Sequence, residues 1–521
     1  MELFLRAYTL LNKLVNFLLT PFLILIFDFN KSKTESLPNI DNPILEICAV
    51  DLAEKIRNKE ISSEKVVYEY INRIKKIEPF INAVIEDRFE DAINDAKRAD
   101  KVIAETSPIY VVRNFPLLGV PFTVKESIGL KGCSYVGGSI ARIGTKATRD
   151  AVVVQKLKSA GAIPLLVSNT PEYCTSWECN NLVFGRTLNP YNSGRTSGGS
   201  SGGEGALNGA GATVFGIGSD VAGSIRVPSM FNGIFGHKPT AGLVSLDSHF
   251  PSSSDKNFNN YLTIGPMCRY AKDLPTLMYL MAEEEFQPLL RLDQPLHTKD
   301  IKIYYLTSAG FSFCLWNVEH SIQVKLLEAV SHFKSNGLHC EQGDFFCDLT
   351  ETLEISIATF FDMEDIPDLL SNTKMSKPKD LLSELGKSII GRSEYSFYGL
   401  FFRALHATKN ILIRPSKKDY YINRGIELKQ KMLDKLGTDG VLFYPTFPQA
   451  AMRHCESPTK MSGVMYTMFF NLMGFPSTHV PMGKDANGLP IGFQVIAAPY
   501  QDRNCFAIAR ELEAAFGGWK L

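Results

Sequence analysis

The chain begins with an apolar segment. The length of this segment and the residues on either side of it help to distinguish a membrane anchor from a signal peptide or a buried helix. Residues 14–27 carry no charge, but a helix needs about 20 apolar residues to span a bilayer. The run reaches that length only when it is extended back to Tyr8, across Lys13, whose ammonium can extend to the interface. No small-x-small cleavage site follows Phe27, which argues against a cleaved signal peptide. We therefore expect residues 1–28 to be a hydrophobic anchor, spanning or interfacial, with a signal peptide or a buried helix as alternatives.

A polar stretch with two prolines follows the anchor. Residues 31–43 read KSKTESLPNIDNP, and we interpret residues 29–45 as a linker. Basic residues lie on both sides of the apolar run, so the positive-inside rule predicts no orientation. Residues 46–521 contain no second linker, low-complexity run or internal repeat. We expect them to form one large domain.

Within that domain, helical and strand-like patterns alternate. Ser62 or Ser63 can cap a helix whose apolar positions continue until just before Pro79, and a second helical pattern begins at Phe89. Later segments with a clear pattern are the strand-like runs 163–167, 441–448, 475–483 and 489–497 and the helical runs 151–159 and 502–516. Such alternation predicts an α/β fold in which helices cover both faces of a sheet.

Composition narrows the possible functions. Lys+Arg and Asp+Glu both total 55, so the chain lacks the basic excess of a typical nucleic-acid binder. The ten cysteines form no Cys-x-x-Cys pair and the histidines no His-x-x-x-His pair, which argues against a zinc site and favours free thiols. Neither a P-loop nor a Gly-x-Gly-x-x-Gly dinucleotide loop is present. We expect no metal, no cofactor and no nucleic-acid partner.

One glycine- and serine-rich region, residues 194–228, is the strongest candidate for chemistry. Its glycines allow several backbone N–H groups to converge on one point, as an oxyanion site requires. A flexible linker is the alternative, but apolar residues such as Phe215, Ile217 and Val221 interrupt the run and favour burial. The segment 198–202 also fits Gly-x-Ser-x-Gly, although no apolar strand precedes it as a hydrolase elbow requires.

Several separated motifs, in one order, resemble the amidase signature family of serine hydrolases. Within residues 194–228 these are GSSGG at 199–203, GSD at 218–220 and GSIRVP at 223–228. The flanking matches are LGVPFTVKE at 118–126, GIFGHKPT at 233–240 and GLPIGFQV at 488–495. The segments 232–239 and 263–270, with the apolar N-terminus, resemble the fatty-acid amide hydrolase branch, the second mammalian type in particular. Ala222 departs from the family, which usually has glycine there.

The resemblance implies an α/β fold with one mixed, twisted sheet and a Ser-Ser-Lys triad. Ser224 would attack the carbonyl, and Ser200 would relay its proton to a neutral Lys125. The pKa of a free lysine, ~10.4, must fall by about 3 units for that role, which burial can provide. The remaining residues that the resemblance assigns are the oxyanion donors, which are the N–H groups of Val221, Ala222, Gly223 and Ser224, and the structural pair Asp220 and Arg226. The bond between Gly199 and Ser200 is expected to be cis.

The resemblance also implies a substrate and a location. The substrate would be a small lipid amide, cleaved to a fatty acid and an amine, with Cys174 and Thr175 lining the acyl channel. The aromatic segment 395–413 is either a membrane-facing cap or an ordinary core helix. A single N-terminal anchor would hold the protein to an endomembrane, such as the endoplasmic reticulum or a lipid droplet, and a homodimer is possible for the family. The alternatives are a soluble-type amidase or amidotransferase subunit and a non-catalytic lipid-binding relative.

Overall fold

The computed structural model describes residues 2–28, 37–294, 296–343, 349–366, 369–370 and 380–521. The described strands, in chain order, are β1 (Val84–Asp87), β2 (Pro121–Lys125), β3 (Ile163–Ser168), β4 (Asn180–Asn181), β5 (Gly185–Arg186), β6 (Leu188–Asn189), β7 (Asn192–Thr196), β8 (Phe215–Asp220), β9 (Phe235–Lys238), β10 (Thr263–Cys268), β11 (Lys302–Tyr305), β12 (Cys340–Gln342), β13 (Gly440–Pro445), β14 (Ser477–Lys484) and β15 (Pro490–Ala497).

The described α-helices are α1 (Leu3–Leu23), α2 (Ala49–Arg57), α3 (Ser63–Ile81), α4 (Phe89–Glu105), α5 (Pro108–Asn114), α6 (Val152–Ser159), α7 (Gly202–Gly209), α8 (Arg226–Phe231), α9 (Phe258–Tyr261), α10 (Leu274–Met281), α11 (Gln287–Leu290), α12 (His320–Ser335), α13 (Thr352–Phe360), α14 (Leu381–Ile389), α15 (Phe397–Ala407), α16 (Lys409–Leu412), α17 (Pro415–Leu436), α18 (Met468–Leu472) and α19 (Asp502–Phe516). Helix α1 continues as a π-helical turn, Ile24–Asp28, and a ten-residue 3₁₀ helix spans Ser457–Tyr466.

In the described part of the chain, eleven strands form one mixed sheet in the order β1-β3-β2-β8-β10-β9-β14-β15-β13-β11-β12. Strand β2 runs parallel to both β3 and β8, whereas β10 is antiparallel to β8. Because the carboxyl ends of parallel strands meet at one edge of a sheet, the ends of β2 and β8 lie side by side. This arrangement brings Lys125 beside the glycine- and serine-rich region.

Side chains on both faces of the sheet are buried, as the α/β prediction requires. Along β13, Val441 and Phe443 belong to one large apolar cluster, whereas Leu442 and Tyr444 belong to another. Alternate residues of a strand point to opposite faces, so the two clusters lie on opposite sides of the sheet. The predicted fold class, a mixed sheet covered by helices on both faces, is confirmed.

Most of the predicted helices and strands form, with two errors of extent. The run predicted as a strand over 441–448 is a strand only to Pro445, in β13. Helix α3 is capped by Ser62, whose hydroxyl accepts the Lys65 N–H, as predicted. The prediction that it ends before Pro79 is wrong, because the helix continues to Ile81. Pro79 leaves the Lys75 carbonyl without its helical partner, but Lys75 is on the exposed side, where water can replace that bond. Burial of Ile81 stabilises the final turn.

Helix α1 lies against the domain with its polar side inward. Arg6, Thr9 and Asn16 are buried, whereas Leu3 and Phe17 are 77% and 74% exposed. Residues Leu3–Phe27 are long and apolar enough to cross a membrane, although burial inside a soluble protein and a signal sequence satisfy the same criteria. Residues 29–36 of the predicted linker lie outside the described residues.

Candidate active site

Lys125 is the last residue of β2, and its side chain is completely buried. Burial lowers the pKa of its ammonium from the ordinary value, although nearby acidic groups partly oppose that shift. The Nζ atom lies 2.6 Å from Ser200 Oγ and 3.0 Å from Ser219 Oγ. A buried amine held between two hydroxyls is suited to accept a proton from one of them.

Ser200 lies in the loop between β7 and α7. The Gly199–Ser200 peptide bond is cis, in agreement with the resemblance. The Ser200 carbonyl accepts a hydrogen bond from Thr170 Oγ1 at 3.0 Å, which fixes the loop beside β3. The next residue, Ser201, donates its N–H to the carbonyl of Ser224 at 3.1 Å, and this bond joins the two halves of the glycine- and serine-rich region.

Ser224 follows β8 and precedes α8. Its side chain lines the same cavity as Ser200, and among the described residues its hydroxyl has no hydrogen-bond partner. The hydroxyl is therefore free to meet a ligand in the cavity. Contacts between reacting groups are often long in an unliganded site and shorten when the substrate binds.

The turn before Ser224 places the predicted oxyanion donors, but they are not equivalent. Positive φ falls on Gly223 at 104° and not on Ala222, so alanine is accommodated without strain at the position where the family usually has glycine. The Gly223 N–H donates to Asp220 Oδ1 at 2.7 Å. The N–H groups of Val221, Ala222 and Ser224 donate to no other described residue.

Asp220 and Arg226 form a buried pair beneath this turn, with 3.0 Å between Arg226 Nη2 and Asp220 Oδ1. Burial alone would raise the pKa of Asp220, but the Arg226 guanidinium and the N–H groups of Gly223 and Ile225 lower it well below its usual range. Arg226 also donates to Gln494, Asn471 and the Thr467 carbonyl. The pair therefore holds the turn to the rest of the domain.

Two polar neighbours of Lys125 are absent from the sequence predictions. Ser219 lies inside the matched motif at 218–220, but the motif assigns it no role. His249 lies in a loop between β9 and β10, and its Nε2 is 2.9 Å from Ser219 Oγ. No local pattern around His249 marks it, because the loop reaches the site only through folding.

An apolar cavity opens from the serines, and its ≈ 1230 Å³ of empty space includes open solvent at the mouth. Cys174 and Thr175 lie on its wall, as the resemblance implies. Most of the remaining lining side chains are apolar. A large group of them lies in α13 and directly after it, in α15 and in the 3₁₀ helix Ser457–Tyr466, and includes Ile357, Phe360, Phe361, Phe401, Phe402, Leu405, Met461 and Val464. Such a site suits a ligand with a long apolar part.

Metal-binding groups and disulfides are not found in the described residues. No set of three or more His, Cys, Asp or Glu side chains there could hold a metal ion. The nine described cysteines are all free. Ser200 and Ser224 line the cavity and Lys125 lies directly behind Ser200, so a hydroxyl nucleophile and an amine base are both available there.

Comparison with known proteins gives a consistent result. The family model described as "Amidase" matches residues 65–506. Fatty-acid amide hydrolase 2-B from Danio rerio is 40% identical over 506 residues, which cover 94% of this chain and 93% of that protein. Fatty-acid amide hydrolase 2 from Homo sapiens is 36% identical over 491 residues, covering 92% and 91%. A solved structure titled "Fatty acid amide hydrolase" aligns with a TM-score of 0.71 at 21% identity, over 91% of this chain and 86% of that chain, and so supports the fold.

Proposed function

The chain belongs to the amidase family, and from that premise we propose that it hydrolyses long-chain fatty acid amides through an acyl-enzyme on Ser224. That it is an amide-hydrolysing enzyme similar to fatty-acid amide hydrolase 2 follows from the relatives already described. The proposal adds the substrate and the residues. The observation that carries it is a buried Lys125 amine 2.6 Å from Ser200, behind an apolar cavity onto which Ser224 opens.

In the proposed mechanism, the Ser224 hydroxyl attacks the amide carbonyl carbon. Its proton passes to Ser200 Oγ while the proton of Ser200 passes to the neutral amine of Lys125. The oxyanion is stabilised by the N–H groups of Val221, Ala222 and Ser224, since the Gly223 N–H is engaged by Asp220. The lysine ammonium then returns a proton through Ser200 to the departing amine nitrogen. Water releases the fatty acid by the same relay.

The substrate class is inferred from the cavity. Its apolar lining would desolvate an acyl chain, at roughly 25 cal/mol per Å² of apolar surface buried. A short polar amide such as glutamine would gain little from these side chains. The relatives named for fatty-acid amides support the same choice.

Two measurements test this proposal together. Ser224 should react with a fluorophosphonate probe, and Ser224→Ala should abolish both the labelling and the hydrolysis. In detergent extracts, oleamide and anandamide should be cleaved much faster than glutamine. Labelling of Ser224 with cleavage of glutamine alone would support a soluble-type amidase instead. Lack of any labelling would favour a non-catalytic lipid-binding relative.

We also propose that α1 attaches the protein to a membrane by lying in the interface and does not cross the bilayer. Its inward side is fixed by Arg6 to Glu354, by Lys13 to the carbonyls of Phe313 and Leu315, and by Asn16 to Thr459. Its outward side presents a row of exposed apolar side chains, including Leu3, Phe4, Leu11, Leu14, Phe17, Leu18 and Phe22. A helix held flush to the domain with its apolar face outward suits a lipid surface.

A topology measurement separates the two modes of attachment. The full chain with an epitope tag before Met1 is bound to sealed vesicles and treated with protease. In the interfacial arrangement the tag and the catalytic domain lie on the same side, so the tag is removed without detergent. A tag that becomes accessible only after detergent would contradict the interfacial arrangement and support a span.

A further inference from the structure

The hydrogen bonds around Lys125 continue beyond Ser219 to an imidazole. Lys125 Nζ is 3.0 Å from Ser219 Oγ, and Ser219 Oγ is 2.9 Å from His249 Nε2. The other ring nitrogen, Nδ1, is 2.9 Å from the carbonyl oxygen of Pro251. Every member of this chain is buried, and Ser219 and His249 line the cavity.

The positions of the hydrogens follow from these partners. A carbonyl oxygen can only accept, so His249 Nδ1 carries the hydrogen. Burial first, and the nearby Lys125 second, lower the pKa of His249 to about 3, so the ring is neutral and Nε2 has a free lone pair. Nε2 therefore accepts the Ser219 hydroxyl hydrogen. Ser219 then has only lone pairs to offer Lys125, so Lys125 must donate to it.

This polarity matters for the neutral amine, which has two hydrogens and one lone pair. One N–H is directed to Ser219, which leaves the lone pair available to the Ser200 hydroxyl at 2.6 Å. Without His249, the Ser219 hydroxyl could turn and donate to that lone pair. The lone pair of the Lys125 amine would then accept a hydrogen bond from Ser219, a hydroxyl that is not connected to the nucleophile, and would not be available to Ser200.

We propose that His249 and Ser219 are positioning residues that fix the direction of the proton relay by making Ser219 an obligatory acceptor from Lys125. The inference rests on the proposed function, since it takes Ser224 as the nucleophile. One proton leaves Ser224, one passes from Ser200 to Lys125, and neither His249 nor Ser219 gains or loses one. His249 acts through Ser219 and Ser219 acts through the Lys125 amine, and among the described residues neither side chain hydrogen-bonds to Ser200 or Ser224.

Among the described residues, the surroundings include a competing donor, Ser127, and several acidic groups. Ser127 Oγ lies 3.4 Å from His249 Nε2, farther than Ser219 Oγ. Asp220, Cys174 and Cys179 face Lys125, the Cys174 side chain also hydrogen-bonds to it, and Lys125 is the basic group nearest to His249 in its electrostatic surroundings. None of the acidic groups hydrogen-bonds to Ser219 or His249 among the described residues, so the polarity is set by the Pro251 carbonyl.

The test uses the full chain in detergent and measures the rate of Ser224 phosphonylation by a fluorophosphonate across pH. His249→Leu removes the acceptor and should slow labelling by about 10- to 100-fold, within the range of acid–base effects. It should also move the acid limb of the profile to lower pH, because Ser219 then stabilises the neutral amine. His249→Gln can accept from Ser219 and donate to Pro251, and should keep labelling within about 3-fold of wild type.

A double-mutant cycle shows whether His249 acts through Ser219. In the Ser219→Ala background, His249→Leu should cause no further loss, because the hydroxyl it orients is gone. Equal effects of His249→Leu in both backgrounds, with an unmoved acid limb, would overturn the inference and leave the proposed function intact. Failure of the wild-type protein to label at all would contradict the nucleophile, and with it both proposals.

Discussion

Two buried lysines show what makes a lysine useful as a base. Lys125 and Lys238 are both completely buried, and burial lowers the pKa of each, that of Lys238 to about 7. Lys238 donates to the Pro239 carbonyl at 2.7 Å, and a carbonyl has no proton to give. Lys125 contacts hydroxyl groups instead. Desolvation prepares both amines, but only Lys125 has a proton source within reach.

We predict that substitution of Lys125, but not of Lys238, changes how kcat/KM depends on pH. In the wild type, kcat/KM should fall as the pH drops through the lowered pKa of Lys125, because protonation removes the base. Lys125→Met should lower kcat/KM by roughly 10²- to 10⁴-fold and abolish that limb. Lys238→Met, the matched control, should keep the limb. A limb that persists in Lys125→Met, or that disappears only in Lys238→Met, would contradict the assignment of the base.

At this scale, the sequence predicts residues that a local motif contains. Lys125, Ser200 and Ser224 each lie inside a matched run, and Cys174 and Thr175 reach the cavity as expected. The engagement of the Gly223 N–H by Asp220 depends on the turn's three-dimensional path. His249 was not predicted, because its place beside Ser219 results from packing of a distant loop and not from any pattern near it.

Among the helices, α1 connects the outer surface to the walls of the cavity. Arg6 bonds Glu354 of α13 through two contacts of 2.6 Å, and the inner side of α13 carries Ile357 and Phe360. Asn16 reaches Thr459 in the 3₁₀ helix whose other side also lines the cavity. These contacts explain why the apolar N-terminal segment contains the polar residues Arg6 and Asn16. Sequence periodicity could not give this explanation, because the pattern does not show which side of α1 meets protein.

We predict that Arg6 and Glu354 are strongly coupled in stability. Both side chains are buried, with exposed fractions of 6% and 0%. Arg6→Leu should lower the free energy of unfolding by about 3–5 kcal/mol, because Glu354 is left buried without its partner. The double variant with Glu354→Leu should recover most of that loss. Denaturant unfolding of the wild type, the two single variants and the double variant measures this coupling. If the losses in unfolding free energy of the two single variants simply add in the double variant, the docking of α1 through this pair is contradicted.

At the scale of the whole molecule, several buried acids weaken the fold as they ionise. Burial raises the pKa of Glu204 to about 7, and those of Glu172 and Glu513 to the same value. An acid whose pKa is raised in the folded protein binds its proton more tightly there than when unfolded. Its contribution to stability is therefore largest below pH ~4.5 and is lost as the pH rises through ~7.

We predict that Glu204→Gln stabilises the protein in a pH-dependent way. Glu204 accepts from Thr123 and Ser168 at 2.6 and 2.7 Å, and a neutral amide can remain bonded to both hydroxyls. The variant should match the wild type near pH 4 and exceed its free energy of unfolding by up to about 3 kcal/mol above pH 7. Glu90→Gln, at an exposed site, serves as the control. A gain that does not depend on pH would contradict this account.

The overall architecture was predictable from the sequence. Alternating helical and strand-like patterns predict a sheet covered by helices on both faces, and the family motifs imply that this sheet is mixed. Strand order was not predictable, since β8 pairs with both β2 and β10 across long sequence separations. The continuation of α3 past Pro79 was also missed, because burial of Ile81 outweighs the local preference of proline.

Trapping the acyl group tests the central claim most directly. The full chain is mixed with oleamide, quenched with acid within the first turnovers, digested and examined by mass spectrometry. The account predicts an oleoyl group on the peptide that contains Ser224, and its absence from Ser224→Ala and Lys125→Met. An oleoyl group on another residue, or turnover of oleamide without acylation of Ser224 in a quench that traps a known acyl-enzyme, would contradict it.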